Sequence, residues 1–167
     1  MRERTYQLAI LGGGLAGLTL AIQLRREFPR IDIVVLERRR HPVPEAAHKV
    51  GESTVEIGAD YFANVLGLKE HLTTRQLKKF GFRFFFSDRR TDIDRTLELG
   101  ASRYLATPAY QIDRGIFENF LGEHARALGI EFIDGATVRR IDLGGDAQQH
   151  RVQYERDGQT YEVAARW

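Results

Sequence analysis

Gly12, Gly14 and Gly17 of the stretch GGGLAG match G-x-G-x-x-G, and their surroundings narrow the fold sharply. A mainly apolar run, Tyr6 to Leu11, leads into the glycines and reads as a buried strand. Leu15, Leu18, Ala21, Ile22 and Leu24 then recur at helical spacing to about Phe28, and Pro29 closes that helix. Ile31 to Leu36 is a second strand, rich in β-branched residues and ended by Glu37. Strand, glycine turn, helix and strand within about 30 residues make a βαβ unit with parallel strands.

Each glycine of the pattern has a physical task. Gly12 permits the tight turn out of the strand, Gly14 lets the backbone approach a pyrophosphate, and Gly17 lets the helix pack close to the strand. The helix start, with Leu15 and Ala16, offers unpaired N–H groups and a partial positive charge to phosphates. Glu37 stands at the spacing needed to accept hydrogen bonds from a ribose. Together these features predict a dinucleotide site; the plainer alternative is a βαβ unit with no ligand. NAD and FAD share this fingerprint. Arg38, Arg39 and Arg40 would suit the 2′-phosphate of NADP, but Glu37 would repel it, so a solvated basic loop is preferred.

The loop from Arg38 to Val50 carries Pro42 and Pro44. A helix is expected from about Thr54 to Leu66, with Ile57, Tyr61, Phe62 and Val65 as its apolar face. Ser53 and Glu56 form an S-x-x-E capping box that would start it. Phe80, Phe82, Phe84 and Phe86 alternate as in a strand, and a buried strand face is preferred over an aromatic-substrate pocket. Ser87 to Ala109 reads as loop with short strands. Asp113 caps a helix through Leu128, with Ile116, Phe117, Phe120, Leu121 and Leu128 facing in, and Gly129 ends it. The tail reads as three strands: Glu131 to Ile133 with Val138 to Leu143, then Val152 to Arg156, then Thr160 to Ala165. Asp157-Gly158 marks a hairpin between the last two.

Composition excludes several kinds of chemistry. The chain has no cysteine, so thiol redox, disulfides and thiolate metal sites are absent, and any redox step needs a bound cofactor. A net charge of +2 makes no case for nucleic acid or an anionic membrane. No apolar stretch approaches the roughly 20 residues of a membrane helix. The start (Arg2, Glu3, Arg4) is charged and unlike a signal peptide, so a cytoplasmic protein is expected. The five histidines show no metal-ligand spacing. With 167 residues, the chain is long enough for one domain with a sizeable core.

Three later stretches follow the glycine loop in order: KVGES (Lys49 to Ser53), LKKFGFRFFF (Leu77 to Phe86) and YQIDRGIFENFLGEHARALGIEF (Tyr110 to Phe132). Together they resemble the flavin-dependent halogenases of the tryptophan-halogenase type, within the larger group of FAD monooxygenases and geranylgeranyl-reductase-like oxidoreductases. The resemblance implies an α/β, Rossmann-like FAD-binding domain: a parallel sheet, a helix layer on one face and an antiparallel β-meander on the other. It also implies that residues 1–167 are the N-terminal part of a larger enzyme. The family's D-x-x-G strand would begin where this chain ends, and its W-x-W-x-I-P segment is absent.

The implied chemistry uses reduced FAD, oxygen and chloride or bromide to make hypohalous acid. A lysine near an electron-rich aromatic substrate then positions that acid or holds it as a haloamine. Carried over by motif, Gly51, Glu52 and Ser53 would lie beside the isoalloxazine ring. Lys79 would be the reactive lysine, with Lys78 the close alternative; either role depends on how buried the amine is. Arg114 opens a helix that in this fold lies near FAD and could pair with its pyrophosphate. A surface arginine behind a capping aspartate is the bland alternative. A flavin reductase would be the partner supplying reduced FAD. The resemblance leaves two other readings: an FAD monooxygenase or reductase without halide chemistry, and an inactive nucleotide-binding fragment.

Overall fold

The computed structural model describes residues 4–87, 89–145 and 149–167, so Arg2 and Glu3 of the charged start lie outside the described residues. The chain forms two compact units, Met1–His48 with Asp113–Trp167, and Lys49–Ile112. The first unit opens with β1 (Arg4–Tyr6), β2 (Leu8–Leu11), α1 (Leu15–Glu27) and β3 (Ile33–Glu37). The second holds α2 (Glu56–Asp60), a π-helical turn (Tyr61–Val65), α3 (Lys69–Arg75) and β4 (Leu77–Lys78). It continues with β5 (Arg83–Phe86), a 3-10 turn (Ile93–Arg95), β6 (Leu97–Gly100) and β7 (Tyr110–Gln111). The chain then re-enters the first unit as α4 (Arg114–Ala127), β8 (Glu131–Asp134), β9 (Thr137–Asp142), β10 (His150–Arg156) and β11 (Gln159–Ala165).

In the first unit β3 is central to a parallel sheet of order β2-β3-β8. Ile33, Val34, Val35 and Leu36 are all buried, as expected of a strand covered on both faces. Val34 and Leu36 pack with Tyr6, Val152, Tyr154 and Val163 of the second sheet, whose order is β1-β11-β10-β9. Helix α1 buries Leu18, Ala21 and Ile22, and α4 buries Phe117, Leu121 and Ala125 where the two helices pack together. β9, β10 and β11 form an antiparallel meander, with Arg156 opposite Gln159. Asp157 (φ 54°) and Gly158 (φ 74°) make its predicted two-residue turn.

Two expectations are corrected here. Tyr6 to Leu11 is not one strand. Tyr6 pairs with Ala165 and Leu8 with Ile33, so the chain changes sheets at Gln7, where the N–H groups of Gln7 and Leu8 both donate to Asp32 O. Glu131 to Ile133 does not belong with the tail strands. It pairs in parallel with Val34 to Leu36 and completes the nucleotide-type sheet, because α4 returns the chain to the side where β3 is unpaired.

In the second unit, α3 buries Leu72 and His71, α2 buries Ala59, and the π-helical turn buries Phe62. β4 pairs with β7, and β5 pairs with β6 as an antiparallel hairpin. The expected apolar helix face is only partly right: Phe62 is buried, but Ile57 is 79% exposed and Val65 45%. The switch from α to π turns at Tyr61 takes the residues after it, Val65 included, off the 3.6-residue spacing. Nor do the phenylalanines form a buried strand face. Phe84, Phe85 and Phe86 are exposed on the hairpin and Phe82 just before it, since among the described residues of its unit β5 pairs with β6 alone.

Candidate functional site

The glycine loop joins β2 to α1 by its shortest route. The Gly12 N–H donates to Leu36 O at 2.8 Å, which pins the loop to the end of β3. A Cβ on Gly17 would stand 1.8 Å from Gly12 O, so only glycine lets α1 start this close to the turn. Gly13, which the motif leaves free, is as constrained: its Cβ would meet Phe132 Cε2 at 2.5 Å. Glu37 binds the loop as well. Its Oε2 accepts the Gly13 N–H at 2.6 Å and its Oε1 the Arg39 N–H at 2.8 Å.

Above Gly14 the space is open. Among the described residues, a Cβ there would meet Glu118 Oε1 alone, at 3.8 Å. Gly14 caps α1 without a side-chain hydrogen bond, and the first turn, with Leu15 and Ala16, holds no acidic residue. The helix start is thus left to an outside acceptor. Open space over a glycine, an uncapped helix start and a carboxylate ending β3 fit a dinucleotide such as FAD. Arg38 is exposed, and Arg40 pairs with Asp157.

Asp113 is the cap the sequence predicts. Its Oδ1 accepts from Gly115 N (2.8 Å) and Ile116 N (3.0 Å), and its Oδ2 from Ala46 N (2.6 Å). Burial works to raise its pKa, but these N–H groups hold it below the usual carboxylate value. Arg114, the first residue of α4, turns to Glu118 one helical turn on, with Nε 2.9 Å from Oε1. Glu118 itself was not foreseen; its i+4 spacing from Arg114 is the signal that could have found it.

In the second unit, the KVGES stretch is built as an irregular edge. Gly51 has φ 88°, Glu52 Oε1 accepts from Lys49 N at 3.1 Å, and Glu52 O accepts from Ile112 N at 2.7 Å. The capping box does not form. The helix starts at Glu56, with Val55 as a cap that makes no side-chain bond. Ser53 and Thr54 are instead drawn alongside β7. Ser53 bridges Gln111, Thr54 N donates to Tyr110 O at 2.9 Å, and Tyr110 N donates back to Thr54 Oγ1 at 2.8 Å.

That frees the Ser53 hydroxyl for Lys79. The Lys79 Nζ donates to Ser53 Oγ at 2.7 Å and to Thr54 O at 2.6 Å, and lies 5.1 Å from the Phe82 ring centre. These are the surroundings of an ammonium. Lys79 also lines a cavity of about 230 Å³ with Val55, Phe82, Phe84, Leu105 and Ala109. Lys78 points elsewhere: it is exposed, with its Nζ over the Tyr104 ring. The structure therefore groups Gly12, Gly14, Leu15, Ala16, Gly17, Glu37, Arg38 and Arg114 in one unit, and Gly51, Glu52, Ser53, Lys78 and Lys79 in the other. Among the described residues no cluster could hold a metal ion, and no helix is long and apolar enough to cross a membrane.

The model of a family described as the FAD binding domain matches residues 5–167. The chain belongs to the FAD-binding domain family. FAD is the cofactor of this FAD-binding domain, which decides between the nucleotides that share the glycine loop. A flavin-dependent halogenase of Dictyostelium discoideum, chlA, is 31% identical over 144 residues, covering 82% of this chain and 24% of its own length. YhjG of Bacillus subtilis, an uncharacterized aromatic compound monooxygenase, is 27% identical over 163 residues, covering 97% of this chain and 30% of its own length. This FAD-binding chain thus spans about a quarter to a third of the curated relatives it matches. Among solved structures, the myxobacterial chondrochloren halogenase CndH superposes with a TM-score of 0.78 at 23% identity, over 98% of this chain and 36% of that one. That likeness establishes the fold.

Proposed function

We propose that this chain is the cofactor-binding part of an FAD-dependent oxidoreductase that halogenates an electron-rich aromatic ring. The observation that carries the reading is Lys79: a cation fixed by two oxygens against an aromatic-lined cavity. When bound and reduced, FAD would give its electrons to oxygen, and oxygen at the peroxide level would be the oxidant that turns chloride or bromide into hypohalous acid. Gly12 to Gly17, with Leu15 and Ala16 at the helix start, would bind its pyrophosphate, and Glu37 its ribose. Arg38 and Arg114 would add positive charge to that site. Gly51, Glu52 and Ser53 would lie beside its ring.

Lys79 would donate a hydrogen bond to hypohalous acid and aim it at the substrate. Ser53 would keep the ammonium in place. The cavity is small beside the roughly 300–1,000 Å³ of most ligand pockets, which suits one compact ring system. Lys78, turned onto Tyr104, would stay outside the reaction.

The likeness to YhjG favours a second reading, an aromatic monooxygenase with no halide step. One assay separates them. The protein is supplied with a flavin reductase, FAD, oxygen, bromide and a phenol or indole, and the products are analysed by mass. Brominated product supports the first reading. Hydroxylated product that never carries bromine overturns it in favour of the second.

A further inference from the structure

A buried acid beside a pyrophosphate site is a physical contradiction unless something answers its charge. Glu118 is such an acid. Its side chain is 5% exposed, and its Oε1 would lie 3.8 Å from a Cβ on Gly14. Gly14 is where the backbone is bare for the phosphates. Left alone, the carboxylate would repel them at short range, in surroundings that screen charge poorly.

The answer is Arg114. Its Nε and Nη2 both point at the same Oε1, and its side chain is only 18% exposed. A guanidinium carries five donors in a fixed fork, so one arginine can serve a carboxylate and a phosphate together. Before the nucleotide arrives, Glu118 neutralises the half-buried cation. Once it arrives, carboxylate and pyrophosphate draw on the same guanidinium.

We propose that Glu118 is a positioning residue of the cofactor site: it holds Arg114 at the phosphate loop and competes with the pyrophosphate for it, and so sets how tightly FAD binds. The inference rests on reading Gly12 to Gly17 as the FAD pyrophosphate loop. It makes the affinity a balance between two anions. A variant that keeps the shape of Glu118 but not its charge releases Arg114 to the phosphates.

The test is titration of the apoprotein with FAD, followed by flavin fluorescence, and with ADP and adenosine, followed by calorimetry. Glu118→Gln should tighten FAD and ADP by about threefold, because the amide oxygen still accepts from Arg114 while the competing charge is gone. Arg114→Gln should weaken both by about tenfold or more, since it removes the cation and unmasks the acid. Adding Glu118→Gln to Arg114→Gln should recover clearly more than the roughly threefold it gains in the parent, because the acid repels the phosphates more once its cation is gone, and that excess is a coupling a purely structural role would not produce. Adenosine, which has no phosphate, should bind all four proteins alike. If Arg114→Gln does not fold, Glu118→Gln against the parent still decides. Weaker FAD binding by Glu118→Gln, or no such excess in the double variant, overturns the inference alone. A parent protein that takes up no FAD overturns the cofactor reading and this inference with it.

Discussion

The Lys79 ammonium stands 2.7 Å from the Ser53 hydroxyl, so two residues 26 positions apart in sequence form one unit of chemistry. On the proposed halogenase reading, removing the amine should leave oxygen consumption by reduced flavin intact while halogenated product falls. For Lys79→Ala a loss of about 100-fold or more is expected, the scale of a positioned proton donor. Ser53→Ala leaves Thr54 O as a tether and should cost about tenfold. Product yield per oxygen consumed is the measurement. Equal yields in parent and Lys79→Ala would remove Lys79 from the mechanism.

Gly17→Ala should damage both stability and cofactor uptake. The new methyl would stand 1.8 Å from Gly12 O, a backbone atom of the residue whose N–H is bonded to Leu36 O of β3. A loss of about 3 kcal/mol is expected, the range of severe steric substitutions. Thermal unfolding and FAD titration of the purified variant check it. An unchanged melting temperature would show that the loop can move aside.

Asp113→Ala removes an acceptor used by three N–H groups, from Ala46, Gly115 and Ile116. The loss should be about 2 kcal/mol at neutral pH, the upper range of a helix cap. It should shrink in acid. The folded carboxyl titrates below its ordinary value, so its stabilisation is present at neutral pH and is lost as pH falls through the folded pKa. Urea unfolding of parent and variant at pH 7 and pH 3 should show the gap closing.

His71 sets a second pH limit. It is buried, and burial first, then the Arg75 charge, lowers its pKa to about 4. Its Nε2 lies 3.0 Å from Gln76 Nε2, an arrangement in which the ring nitrogen accepts. An unfolded histidine takes a proton near pH 6.5 and the folded one does not. Stability is therefore full above about pH 6.5 and declines as pH falls toward 4, by roughly 3 kcal/mol in all. Unfolding midpoints between pH 4 and 7 should follow that slope, and a His71→Gln variant should flatten it. An equal slope in both proteins would assign the acid sensitivity elsewhere.

The βαβ unit and the α4 cap were legible because their signals are local: glycines at fixed spacing, a strand of β-branched residues, an aspartate before an apolar stripe. What misled was competition between local rules and distant partners. Ser53 and Glu56 make a sound capping box, yet Tyr110 and Gln111 take Ser53 and Thr54 into a ladder instead. Alternating phenylalanines looked like a buried face, but alternation cannot say whether a second layer exists to bury it. Glu118 stayed hidden because an acid in a helix reads as surface until the fold places it beside Gly14.

The sheet order β2-β3-β8 also dictates when this protein can take shape. β3 ends at Glu37, but its second neighbour does not begin until Glu131. A nascent chain emerging from the ribosome would display the finished glycine motif long before the strand that completes its sheet. The open edge of β3 must wait while all of Lys49–Ile112 is made and α4 follows. Synthesis past Asp134 is therefore the earliest moment at which the flavin half can close, and the inserted unit, complete at Ile112, has the stretch from there to Asp134 in which to fold first.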